Sequence, residues 1–166
     1  MTDEQTVDLG ELLERFVNRI SHRQGKTLSV LTDESVTLQQ VLLLRRVEQS
    51  GKSTPSEIAE RMHMSMPAVS QMIDRLFLLG LLMRSESQVD RRRKDVVVTA
   101  KGHRLLQLIR KARASEYAAG VASLPLRLRS ELAKLLRRTL AALPEEHESA
   151  TPTASQKNAR EAAKAS

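Results

Sequence analysis

Between residues 5 and 22, apolar side chains return at every third or fourth position as Leu9, Leu13, Phe16, Val17 and Ile20. That spacing predicts a first helix with one apolar stripe, which must be buried on something. After a loop containing Gly25, the stretch TLQQVLLLRRVEQSG at 37–51 opens on Thr37, has Gln40 three residues on and closes at Gly51. This is the pattern of a helix with a capping box and a glycine stop. It recurs at once in TPSEIAERM, where Thr54 is the N-cap, Pro55 the first helical residue and Glu57 the reciprocal cap of a short third helix. Each such cap contributes about 1 kcal/mol. A brief turn and another N-cap candidate, Ser65, lead into a helix whose Val69, Met72, Ile73 and Leu76 form an inner stripe ending at Gly80. At roughly 100° per residue, Pro67, Gln71, Asp74, Arg75 and Leu78 fall on the opposite side, with Ser70 on the flank. Two short helices joined by a tight turn, the second with polar residues outward, predict a helix-turn-helix.

The pattern then changes period. LLMRSES and KDVVVTA are short segments able to pair across QVDRRR, and Val96, Val97 and Val98 favour a strand. The arginines then sit at the exposed tip of a two-stranded hairpin. With neither Asn-Gly nor Asp-Gly present, the connecting loop is expected to exceed two residues and to be mobile. Thr99 can cap a further helix in which Leu105, Leu106, Ile109 and Ala112 run toward Tyr117, Val121 and Leu124, and Pro125 breaks it. A last helix carries Leu128, Leu132, Leu135, Leu136, Leu140 and Leu143 up to Pro144. The remainder is polar and weakly periodic, and 148–166 is expected to be a disordered tail. The fold class expected is mainly α with a small β-hairpin wing, α+β by strict count. The leucine-rich faces of the first and last helices can meet within one chain or across two copies. Their extent favours a homodimer, which would set two reading helices one duplex turn apart, roughly 34 Å.

Composition narrows the function. The chain has 166 residues, 40% of them hydrophobic, enough for one ordinary domain. It contains no cysteine, which removes disulfides and thiolate ligands. Its amino terminus is acidic, and the longest apolar run, LFLLGLLM, falls far short of the ~20 residues of a bilayer span, so a cytoplasmic protein with no membrane partner is expected. The formal charge of +7 favours an anionic partner. It is unevenly spread: residues 53–102 net +2, with the surplus focused at Arg91, Arg92, Arg93 and Lys94, while residues 103–147 net +5. His22, His63, His103 and His147 have no metal-ligand spacing, and no phosphate loop or nucleophile-base arrangement is present. No metal, cofactor or enzymatic activity is expected.

In this order, TPSEIAERM, SMPAVSQMIDRLFLLGLL and DRRRKDVVVTAKG resemble the MarR family of winged helix-turn-helix regulators over roughly residues 8–143. The last stretch fits the family's wing pattern of Asp-x-Arg, a spacer, an alternating strand and Thr-x-x-Gly. The resemblance implies one domain at 1–147, with a winged helix-turn-helix lobe at 35–102 and dimerisation helices at 5–24 and 103–143. It implies a homodimer on double-stranded DNA carrying a pseudo-palindromic operator, with the fourth helix in the major groove and the wings in flanking minor grooves. The family's major-groove positions fall on Ser65, Met66, Pro67, Ala68, Ser70 and Gln71. Its phosphate-contacting arginine falls on Arg75, its wing aspartate on Asp90 and its minor-groove arginine on Arg92. The cysteine of peroxide-sensing members and the tryptophan of urate-responsive members are both absent, so neither signal is assigned.

The residue chemistry suits these roles. A guanidinium fits a narrow minor groove because it is permanently charged and weakly hydrated, and Asp90 can fix the direction of Arg92, with Arg91, Arg93 and Lys94 beside it. Gln71 and Ser70 can bond base edges. Met66 and Ala68 can touch thymine methyls, although Met66 serves equally as turn filler beside Met62 and Met64. Arg75 positions through phosphate. Ser53 and Thr54 can offer hydroxyls and amides to another phosphate, although capping alone accounts for Thr54. An unidentified small-molecule effector is expected, by resemblance, where the first, second and fifth predicted helices meet, near Phe16, Ile20, His22, Val41, Arg45, His103 and Arg104. Two readings follow: a DNA-binding regulator, acting as a repressor released by an effector, or a winged-helix protein-interaction adaptor that does not read DNA.

Overall fold

The computed structural model describes residues 3–21, 25–86 and 94–143. These form helices α1 (Asp3–Ser21), α2 (Lys26–Asp33), α3 (Leu38–Ser50), α4 (Pro55–Met62) and α5 (Met66–Leu78), strands β1 (Leu82–Glu86) and β2 (Lys94–Val98), and helices α6 (Ala100–Val121) and α7 (Leu126–Ala142). The mainly helical chain with one small antiparallel hairpin is the expected fold class. The strands pair from Leu82 with Val98 to Glu86 with Lys94. The described residues fall into two compact units that divide between Leu124 and Pro125, inside the single domain that the sequence pattern predicts.

In the first unit, one core gathers Leu43, Leu44 and Val47 of α3, Ile58 of α4, Val69, Ile73 and Leu76 of α5, Leu81, Leu82 and Val96 of the hairpin, and Leu105, Leu106 and Ile109 of α6. The inner stripe predicted for α5 is therefore the stripe that packs. α1 behaves differently: of its predicted stripe only Ile20 is buried, while Leu9, Leu13 and Val17 are exposed. In the second unit, α7 buries none of its leucines.

The reading of the stretch between the first helix and Thr37 as a loop containing Gly25 is corrected by α2. Gly25, its N-cap, stands in the left-handed region at φ 58° and has no side chain with which to cap. The cap arrives from α6 instead. The Thr27 amide and hydroxyl donate to the two carboxylate oxygens of Glu116, each at 2.9 Å, and Lys26 Nζ donates to Ser115 Oγ. Glu116 is only 6% exposed. The Thr27 amide foremost, then its hydroxyl and the Lys26 amide, outweigh burial and hold the Glu116 carboxyl below the usual range.

Two glycines of α6 permit contacts that no side chain would. A Cβ on Gly102 would lie 2.4 Å from the Leu81 carbonyl oxygen and 2.6 Å from Val98 Cγ1, and one on Gly120 would lie 2.5 Å from the Ile20 carbonyl oxygen. α6 is thus seated directly on the turn after α5 at one end and on α1 at the other.

Replacing Gly102 with alanine is expected to destabilise the protein by roughly 1–3 kcal/mol, read as a lower denaturant midpoint, because backbone must move to admit the methyl. Glu116→Gln is expected to lower stability at neutral pH. A lowered folded pKa gives stability that is complete above the ordinary carboxylate range and is lost as pH falls through the lowered value, so wild type and variant should converge in acid. Parallel unfolding curves from neutral pH downward would contradict this.

Candidate nucleic-acid interface

The reading module is built from the start of α4. Thr54 Oγ1 accepts the Glu57 amide and Glu57 returns a bond to the Thr54 amide, completing the predicted capping box, with Pro55 in the first turn. Immediately before it, Ser53 pairs with Val96 of β2 through its own amide (3.2 Å) and carbonyl (2.8 Å). Ser53 is buried and both of its backbone groups are used, so it ties the hairpin to α4. The Thr54 amide is likewise committed. These two positions hold the module together, which is why the sequence marks them.

α4 ends at His63 in the left-handed conformation, φ 51°, and its amide reaches back to the Glu60 carbonyl. That residue turns the chain into α5. Because α2 precedes it, the reading helix predicted as fourth is fifth in chain order. Ser65 stands at the N-cap of α5, yet its side chain makes no cap hydrogen bond. Pro67 occupies the first turn, where a missing amide costs nothing. The amino end of α5 is therefore open to an outside acceptor.

Pro67, Gln71, Asp74, Arg75 and Leu78 are all exposed, as the helical projection requires, with Ala68 and Ser70 half-buried beside them and Met66 43% exposed. The carboxyl end of α5 is the reverse of its amino end. Lys101 Nζ donates to the Leu79 carbonyl (2.9 Å) and Thr99 Oγ1 donates to the Gly80 carbonyl (2.7 Å), while Thr99 Oγ1 also accepts the Gly102 amide (3.1 Å). A cation at the negative end of the helix dipole adds to the hold. The Thr-Ala-Lys-Gly stretch is thus the clamp on the carboxyl end of α5. Asp90, Arg91, Arg92 and Arg93 lie outside the described residues, and Lys94 is the first residue of β2.

The residues predicted around an effector do not converge within one chain. Ile20 packs at Gly120, whereas His103 and Arg104 stand near the other end of α6, about 25 Å away at 1.5 Å per residue. His103 Nδ1 instead meets Glu48 Oε1 at 2.9 Å, and Arg110 Nη1 meets Glu48 Oε2 at 3.0 Å. Burial opposes the Glu48 charge, but these two partners hold its carboxyl below the usual range. Val41 is buried in the core, Arg45 and Arg104 are exposed, and His22 lies outside the described residues. Phe16 is half-buried and borders a shallow hollow with Leu12, Arg15, Asn18 and Arg19, all on α1. Glu116 was not singled out from the sequence. Its signal was present, because it continues the apolar spacing 105, 109, 112 as a carboxylate on that stripe.

The MarR family model matches residues 36–94. The HTH-type transcriptional repressor MdtR of Bacillus subtilis (strain 168) is 35% identical over 79 residues, 48% of this chain and 51% of MdtR, so the match spans about half of that relative. The uncharacterized HTH-type transcriptional regulator YhbI of the same organism is 30% identical over 125 residues, 75% of this chain and 79% of YhbI. Among solved structures, the S. aureus MepR–DNA complex shares the fold, with a TM-score of 0.60 at 22% identity over 73% of this chain and 91% of MepR. No helix among the described residues is long and apolar enough to cross a membrane. With the extended match to YhbI added to the clamped helix-turn-helix and its hairpin, the chain belongs to the MarR family of helix-turn-helix transcriptional regulators.

Proposed function

We propose that this protein is a homodimeric DNA-binding regulator that represses by occupying a pseudo-palindromic operator and is released by a small-molecule effector. The observation that carries the reading is the asymmetry of α5. Its carboxyl end is held by Lys101 and Thr99, while its amino end is uncapped and its outer face exposes Pro67, Gln71 and Arg75. A helix positioned this way can offer first-turn amides and Ser65 to phosphate, and Gln71 and Ser70 to base edges, with Met66 and Ala68 against thymine methyls. Arg75 fixes register on the backbone. From the wing, Arg92 enters the minor groove with Asp90 bracing it, and Arg91, Arg93 and Lys94 add charge around it.

Dimerisation supplies the second half-site. The exposed Leu9, Leu13 and Val17 on α1, and Leu128, Leu136 and Leu140 on α7, are apolar faces that a second copy would cover. Release then requires an effector that binds one dimer geometry better than the other, since a ligand indifferent to geometry shifts nothing. The glycine contacts at both ends of α6 support such a switch, because a displacement of α1 at Gly120 is delivered along one rigid helix to the turn that holds α5.

Binding to a duplex from the promoter region beside its own gene should weaken steeply with salt, log K falling by about 0.9 per phosphate neutralised. Arg75→Ala and Arg92→Ala should each weaken it, Arg75→Ala with little change in sequence preference. Ser65→Ala should weaken binding while leaving the unfolding midpoint almost unchanged, because no cap bond is lost. A gel shift that is absent at low salt, with a protein partner co-purifying, would favour the adaptor reading.

A further inference from the structure

Strand alternation sets Leu82 and Arg84 on the same side of β1. Leu82 is buried in the core, whereas Arg84, two residues nearer the hairpin tip and opposite the buried Val96, is exposed. Phe77, half-buried, ends the inner stripe of α5 and packs against that core. The Arg84 Cζ lies 5.4 Å from the centroid of the Phe77 ring. This is within the ~6 Å over which a ring face attracts a cation. Among the described residues no carboxylate pairs with Arg84.

We infer that Arg84, held by Phe77 in the angle between α5 and the hairpin, is a phosphate-binding residue that grips the DNA strand running between the two grooves this module occupies. The inference rests on reading α5 and the hairpin as a DNA-binding module. The major and minor grooves of a duplex are separated by one phosphodiester strand, so a protein with its helix in the first and its hairpin in the second must straddle that strand. The side chains at the corner of the straddle are the ones that meet its phosphates. A guanidinium attracted to a ring face through its charge spends no N–H donor on a hydrogen-bond acceptor there, so its donors stay available to a phosphate. Phe77 acts as a positioning residue. By holding the guanidinium near one place before binding, the ring removes part of the ordering cost that a free arginine side chain would carry.

The test compares full-length wild type with Arg84→Gln, Phe77→Leu and Phe77→Tyr on the promoter duplex and on a random-sequence duplex of the same length. Affinity is measured across a salt series, and thermal midpoints are recorded for each variant. Arg84→Gln is expected to weaken both duplexes by a similar factor, roughly tenfold at low salt. It should also lower the salt slope by about 1 for each protomer bound. Phe77→Leu, which keeps the apolar contact and loses the ring, should cost about two- to fivefold in affinity, and Phe77→Tyr should restore it. Wild-type binding with an Arg84→Gln salt slope equal to wild type overturns this inference and leaves the DNA-binding reading standing, whether or not the thermal midpoint falls. Failure of wild type to bind either duplex overturns both.

Discussion

The seating of α6 against the turn that ends α5 is the contact on which the rest of the molecule depends. Gly102 brings the first turn of α6 so near Leu81 that a single methyl would lie 2.4 Å from a carbonyl oxygen. At that distance the Thr99 hydroxyl reaches the Gly80 carbonyl and Lys101 reaches the carbonyl of Leu79. The reading helix, the second wing strand and the long helix are thereby joined within a few residues. Remove the close approach and α5 loses the polar partners that define its carboxyl end, while its amino end has none of its own to compensate.

The same economy of polar groups explains the other end of the unit. α2 begins on a glycine without a cap, and the carboxylate that satisfies its first turn belongs to a residue 89 positions away. An amide and a hydroxyl aimed at one buried carboxylate are worth more than the same groups in water, and they fasten α2 to α6 beside the Ile20–Gly120 contact with α1. α6 therefore carries α1 and α2 at one end and the reading module at the other. A displacement of α1 or α2 would have a stiff path along α6 to the turn that ends α5.

The parts legible in the sequence were those whose determinants are local. Thr37 with Gln40, Thr54 with Pro55 and Glu57, and the 69–72–73–76 spacing each encode a structure within a few residues, and each formed as read. The outward face of α5 followed from periodicity alone. α2 was missed because its cap is supplied from a distant helix, and propensity over eight residues could not outweigh a preceding glycine. The backbone bridge of Ser53 to Val96 was not legible, because nothing near Ser53 in the sequence announces it. Helical spacing ranks faces, but it does not say that Ile20 of α1 meets Gly120 at one end of the 22-residue α6 while His103 stands near the other. Arg84 and Phe77, seven residues apart across a turn, meet only once the hairpin folds back.

Hydroxyl-radical footprinting of the protein on the promoter region beside its own gene tests the central claim most directly. Two α5 helices in successive major grooves with hairpins in the flanking minor grooves predict a symmetric pattern of protected patches on both strands, with half-site centres about 10 base pairs apart. A single protected patch, or uniform cleavage at protein concentrations that retard the duplex, would contradict it.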